Sequence, residues 1–223
     1  MLKNFKDPAQ APVTAVGNHI KITTHQDFAA GEMQGLVFAD RLGDGALRLR
    51  KEGEGVFLTP VIATEKPFND LVASWNTETP IGTTAEILGR VYLPEYDGWT
   101  DRDGNVLDGW TDWITWGVWS THIARACPEC QDSHPRKDSE EQNGWAFAYS
   151  KPGYGDSSLN VRGEYTATAF QLKAVLRAES DCQGLPALRL LAATWKNTND
   201  LSWQDDCTYP EETVTQAESV LLD

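Results

Sequence analysis

The sequence predicts an all-β fold, a two-sheet antiparallel β-sandwich of jelly-roll or concanavalin-like form, and three observations predict it. From Phe28 onward, short apolar runs alternate with turns rich in Gly, Pro, Asn and Asp. Within the runs, apolar and polar residues alternate one for one, the period of a strand buried on one side. Hardly any stretch holds the helical period over the length a helix needs. Many strands without intervening helices imply two sheets packed face to face.

Residues 1–24 read as an N-terminal extension, since Pro8, Pro12 and Gly17 interrupt any periodicity. The sandwich is expected over residues 25–195. Its first strands are 46–50, 56–63 and 71–76. Next comes 83–93, with Ala85, Ile87, Val91 and Leu93 on one face and Glu86, Arg90 and Tyr92 on the other. Residues 112–119 follow, with Ile114, Trp116 and Val118 opposed to Trp113, Thr115, Gly117 and Trp119. Residues 168–177 set Phe170, Leu172, Ala174 and Leu176 against Gln171, Lys173, Val175 and Arg177. The last clear strand is 187–195. Asp-Gly pairs at Asp44-Gly45, Asp97-Gly98, Asp103-Gly104 and Asp108-Gly109 suit tight hairpin turns, where glycine tolerates positive φ. A polar, cysteine-bearing insertion is expected at about 121–145 and an acidic tail at 196–223, with a short strand or helix near 219–222.

The chain has 223 residues, and its 33 acidic against 19 basic side chains give a formal charge of −14. Such a field repels phosphate backbones and anionic lipid heads, which disfavours nucleic acid and membrane surfaces as partners. No apolar run reaches the roughly 20 residues of a membrane span. Residues 1–17 also lack the apolar stretch of a signal peptide.

Tryptophan recurs every three residues at Trp110, Trp113, Trp116 and Trp119. In an unbroken strand this odd spacing sends alternate members to opposite faces. Trp116 then joins the core, while Trp113 and Trp119 share the polar face with Glu86, Arg90, Gln171 and Lys173. Flat aromatics among polar groups suit a glycan or peptide ligand. The competing reading is that large aromatics fill both sides of a central sandwich strand.

Two segments carry metal-type side chains. Asp101, Asp103 and Asn105 around Gly104 resemble the start of a calcium loop, but the twelfth position holds Asp112 rather than glutamate. The flanking repeats Asp97-Gly-Trp-Thr and Asp108-Gly-Trp-Thr suggest a hairpin with a polar tip instead. Cys127 and Cys130 lie between His122 and His134, which together suit a tetrahedral zinc site. Alternatives are an all-cysteine site with Cys182 and Cys207, disulfides among the four cysteines, or free thiols.

Catalytic sets are not recognisable. The four histidines are His19, His25, His122 and His134, and none sits in a nucleophile motif. A nucleophile elbow, a phosphate loop and a metalloprotease helix are all missing from the sequence. A carboxylate-based sandwich hydrolase is the rival reading to a binding domain. A third is a subunit whose sheet edges or acidic face dock another protein.

The segments Leu58-Thr-Pro-Val-Ile62, Pro67-Phe68 and Val72-Ala-Ser-Trp-Asn-Thr-Glu-Thr-Pro-Ile-Gly-Thr83, with Trp-Gly-Val-Trp-Ser120 and Thr166-Ala-Thr-Ala-Phe-Gln171, carry a resemblance. They resemble the N-terminal accessory region of bacterial papain-like cysteine peptidases of the double-glycine-leader-peptidase-like group. The similarity spans about 28–195 and is most specific at 74–83. It implies an accessory sandwich without the peptidase domain, whose Gly-rich catalytic cysteine segment does not occur here. It also implies an extracellular or cell-surface location. Locally, Ser74, Asn76 and Thr77 suit a strand end, and Pro80 and Gly82 shape the turn.

Overall fold

The computed structural model describes residues 13–15, 17–39, 45–101, 103–120, 148–150, 158–161 and 164–200. The expected insertion at 121–145 and the tail beyond residue 200 lie outside them. In chain order the strands are β1 (Val13–Ala15) and β2 (His19–Ile22), then helix α1 (His25–Ala29), then β3 (Glu32–Gln34), β4 (Leu36–Phe38) and β5 (Leu47–Leu49). They continue with β6 (Gly53–Leu58), β7 (Ile62–Phe68), β8 (Asp70–Glu78), β9 (Thr83–Thr100), β10 (Val106–Trp110) and β11 (Ile114–Trp119). The last four are β12 (Ala148–Ser150), β13 (Ser158–Val161), β14 (Ala167–Ala178) and β15 (Ala187–Lys196). Among the described residues no helix is long and apolar enough to cross a membrane.

Two sheets pack face to face, as the alternation predicts. In the first, β14 is central: β9 runs antiparallel along one edge, and β7 and β6 share the other. Strands β10 and β11 follow one another along the far edge of β9. In the second sheet β15 is central, between β8 on one side and β2 with β5 on the other. All described pairings are antiparallel except β1 on β7, which is parallel.

The core follows from the inward side of each strand. Ala85, Ile87, Val91 and Leu93 of β9 are fully buried, as are Phe170, Leu172 and Leu176 of β14. Phe170 meets Phe68 edge-on at 6.0 Å and reaches Trp195 of the opposite sheet at 5.2 Å between ring centroids. These contacts tie the two central strands together across the interface, and buried aromatic pairs contribute beyond their area alone.

Four local expectations change. Residues 13–22, read as part of an extension, supply β1 to the first sheet and β2 to the second. The single strand expected at 56–63 is two strands, because Thr59 turns inward at Pro60. There Thr59 N–H donates to the Leu172 carbonyl at 3.0 Å, and its hydroxyl accepts from Leu172 N–H at 2.9 Å. Helix α1 is a single capped turn: Thr24 Oγ1 accepts from Asp27 N–H, and the Asp27 carboxylate accepts from the Thr24 and Thr23 N–H groups. The buried Phe28 anchors that turn against Phe57 at 5.1 Å. Lastly, of the three Asp-Gly pairs that lie wholly among the described residues, only Asp103-Gly104 sits at a hairpin tip. Asp97-Gly98 and Asp108-Gly109 lie inside the β9–β10 arm at register shifts, and Asp44 is outside the described residues.

The inward position at Gly89 is filled by a neighbour rather than by its own side chain. A Cβ there would stand 2.6 Å from Trp116 Cζ3 and 2.7 Å from its Cη2, while Trp116 is 2% exposed. Gly89→Ala is therefore expected to cost about 1–3 kcal/mol by overpacking. Urea unfolding checks this as a lower midpoint at an unchanged slope.

Candidate ligand-binding face

The tryptophan segment does not run as one continuous strand. Trp110 pairs with Tyr92 and Ile114 with Gly89, so four steps along this edge match three steps along β9. The additional residue lies at 111–113, where Thr111 N–H donates to the Val91 carbonyl and Val91 N–H donates to Thr111 Oγ1. A second irregularity follows: Thr115 pairs with Leu88 and Val118 with Glu86, three steps against two. It centres on Gly117, whose φ of 110° is open to glycine and strained for other residues. Each additional residue reverses the alternation of faces.

The two shifts sort the four indoles into pairs. Trp110 and Trp113 face outward beside Arg90, and Trp116 and Trp119 face inward. Trp119 pairs with the buried Ala85 and meets Trp75 of β8 edge-on at 5.5 Å, closing the rim of the sandwich. It remains 48% exposed, but toward the rim rather than on the outer face. The expected pairing of Trp113 with Trp119 on one polar face is thus corrected, and Val118 moves outward to stand beside Glu86. Continuous alternation fails here because the strand takes up two additional residues.

The other expected members of the face do come together. Register sets Gln171 opposite Arg90, Lys173 opposite Leu88, and Arg177 opposite Thr84. The Arg90 guanidinium carbon lies 4.6 Å from the Trp110 ring centroid and 4.9 Å from that of Trp113. Lys173 Nζ lies 4.2 Å from the Trp113 ring centroid. At these distances both cations are held by the ring quadrupoles. Gln171 is buried, donates from Nε2 to the Thr59 carbonyl at 3.0 Å, and so turns Oε1 toward Arg90. That oxygen accepts from Arg90 Nε at 3.0 Å and from Nη2. Glu86 accepts from the Thr115 hydroxyl at 3.0 Å and pairs with Arg177 Nη1 at 2.8 Å, while Arg177 Nε bonds Glu54 at 2.9 Å.

Burial sets the electrostatics. It holds the Arg90 guanidinium below its ordinary value, with Asp108 pulling the other way. Burial likewise lowers Lys173, helped by the positive fields of Arg90 and Arg177 and opposed by Glu86 and Glu54. Tyr92, tilted against Trp110 at 5.5 Å, donates its hydroxyl to Asp97 at 2.7 Å. Trp110 and Tyr92 join the site beyond the residues expected from the sequence, although Tyr92 carries the right phase on β9. Trp110 was hidden by the register shift.

The metal readings fare differently. The Asp101 carboxylate is engaged within the hairpin tip, where it accepts from Asp103 N–H at 2.9 Å, Asn105 N–H at 2.8 Å and Asn105 Nδ2 at 3.0 Å. A calcium loop needs these oxygens turned to the ion. Here Asp101 faces N–H groups, Asn105 presents its amide nitrogen, and Asp103 is exposed. Among the described residues no three His, Cys, Asp or Glu side chains are grouped to hold a metal. Cys127, Cys130, His122 and His134 lie outside the described residues, as does Cys207. Cys182 is a half-buried free thiol beside Gly82.

No protein-family model, no curated protein and no solved structure matches the chain.

The hydrogen bond to Asp97 is the largest of the effects that push Tyr92 up to about 12. The neutral phenol is favoured in the folded state, so its contribution to stability is present below pH about 10 and is lost as the pH rises to about 12. Burial, the largest cause, also raises Tyr96, so ultraviolet titration of the phenolates should show late ionisation at both tyrosines, and Asp97→Ala should shift Tyr92 alone back toward the ordinary value.

Proposed function

We propose that this chain is a non-catalytic binding domain, an accessory sandwich of the kind its sequence resembles, and that it takes a glycan or peptide on the outer face of β9 and β14. The observation that carries the reading is the group of Trp110, Trp113, Arg90, Lys173 and Gln171 on that face. Cations are half-buried against indoles there, and the only buried polar member, Gln171, is fixed by the backbone of Thr59. Partly exposed aromatics with a few fixed polar groups supply contact area at little entropic cost and orient a ligand.

Three features support a binding role. Both indoles are brought to one face by a register shift, a device that re-aims side chains beside functional sites. The face lies on the two longest strands of its sheet, β9 and β14, whose ladder extends from Ala169–Tyr92 to Ala178–Thr83 and forms a rigid platform. The sandwich itself is the architecture that the resemblance to peptidase accessory regions implies, and an extracellular or cell-surface setting goes with that resemblance. The acidic surface, at −14 overall, keeps nucleic acid and anionic membranes away.

Retention on an array of glycans and peptides tests the reading. The Trp110→Ala/Trp113→Ala double variant should lose retention while its urea midpoint stays close to that of the parent. Trp119→Ala, which alters only the rim contact with Trp75, should retain the ligand. Undiminished retention by the double variant contradicts the proposal.

A further inference from the structure

Among the described residues, Arg90, Lys173 and Arg177 stand on the outer face of β9 and β14, and they are not equivalent. Arg177 is matched by the carboxylates of Glu54 and Glu86, both at hydrogen-bond distance. Glu86 is further engaged by the Thr115 hydroxyl. Arg90 instead bonds a neutral amide oxygen, that of Gln171, through Nε and Nη2. Its other terminal nitrogen, Nη1, has no hydrogen-bond partner among the described residues. Asp108 reaches Arg90 only through space, and one of its oxygens accepts from Trp110 N–H at 3.1 Å. Lys173 Nζ lies against the Trp113 ring with no carboxylate or other acceptor at bonding distance among the described residues.

We propose that the Trp110–Trp113 face recognises a carboxylate-bearing glycan, with Arg90 and Lys173 taking the carboxylate and the indoles stacking on the sugar ring. The inference rests on the binding reading above and names its ligand class. Half-buried cations with no carboxylate at bonding distance among the described residues are costly, because water is removed and the acidic groups nearby act only through space. A ligand carboxylate supplies what is missing, and a guanidinium with free terminal N–H groups suits it geometrically. Gln171 adds orientation. Locked by Thr59, it occupies the Nε side of Arg90 and leaves the Nη1 side for the ligand.

A glycan fits better than a peptide. Peptides that join a sheet do so along an unpaired strand edge. Both β9 and β14 are paired on each side where they carry Arg90 and Lys173, so this site offers the flat of a sheet rather than an edge. Indole faces on that flat surface match the apolar face of a sugar ring. Long-range repulsion from the acidic surface is screened beyond about 8 Å at physiological salt, so the local pair of cations decides.

Isothermal titration calorimetry of the whole chain tests this with oligomers of galacturonate, glucuronate, mannuronate and guluronate, their carboxyl-reduced neutral counterparts, and an oligoglutamate peptide. The expected result is binding of at least one uronate oligomer, weakened by added salt and weakened about tenfold or more in the carboxyl-reduced form. Arg90→Gln and Lys173→Gln should each lose about tenfold or more for the uronate, while Lys173→Arg keeps most of the affinity. If a variant fails to fold, the comparison of charged and reduced ligands on the parent chain still decides. Equal affinity for both forms overturns the carboxylate inference and leaves glycan binding standing. Binding of oligoglutamate without any glycan overturns the glycan inference. No binding of any of these ligands overturns the inference, and loss of ligand on the whole glycan and peptide array overturns the binding reading as well.

Discussion

The Trp116 indole lies over the bare backbone of Gly89, and the placement of every other tryptophan in the segment depends on that contact. It fixes one large side chain inward at a known point along β9, between the register shift at 111–113 and the one at Gly117. Counting outward from Trp116 across each shift sends Trp113 and Trp110 to the outer face and Trp119 back to the inner one. Without the vacancy at Gly89 the indole has no room between the sheets. The segment would then have no reason to hold this phase, and the outer face would lose its aromatic half.

The same economy of means operates on the other side of β14. Thr59 interrupts the strand that would otherwise run from β6 into β7, and uses its own hydroxyl to complete the ladder to Leu172. Its carbonyl is left to hold Gln171, which in turn aims at Arg90. A break in regular pairing thus becomes the support for a polar group on the outer face. Beneath it, Phe170 and Trp195 link the central strands of both sheets, so the platform is backed by buried aromatic side chains of the core.

Much of this was legible in the sequence where the chain obeys simple alternation. Ala85, Ile87, Val91 and Leu93 face inward, and Glu86, Arg90, Gln171 and Lys173 face outward, because β9 and β14 pair over ten consecutive positions without a shift. The tryptophan segment departs from simple alternation because a period-two rule has no memory of inserted residues, and one insertion exchanges faces for everything after it. Gly117 was the available signal, a glycine inside a strand pattern, which marks a bulge more often than a smooth strand. The acidic hairpin tip leaves two readings open in the sequence for another reason. Alternating Asp and Asn satisfy backbone N–H groups in a turn as readily as they ligate calcium, and composition alone does not separate the two. Residues 13–22 read as an extension in the sequence because Pro8, Pro12 and Gly17 obscure the alternating His-Ile-Lys-Ile of β2.

The central claim is that two register shifts place Trp110 outside and Trp119 inside. Through-space proton contacts of the indole rings, measured by nuclear Overhauser spectroscopy on assigned tryptophans, test it most directly. The account predicts cross-peaks from Trp110 to the Arg90 side chain and the Tyr92 ring, and from Trp119 to the Trp75 ring. Cross-peaks from Trp119 to Lys173 or Arg90, with none to Trp75, would contradict it.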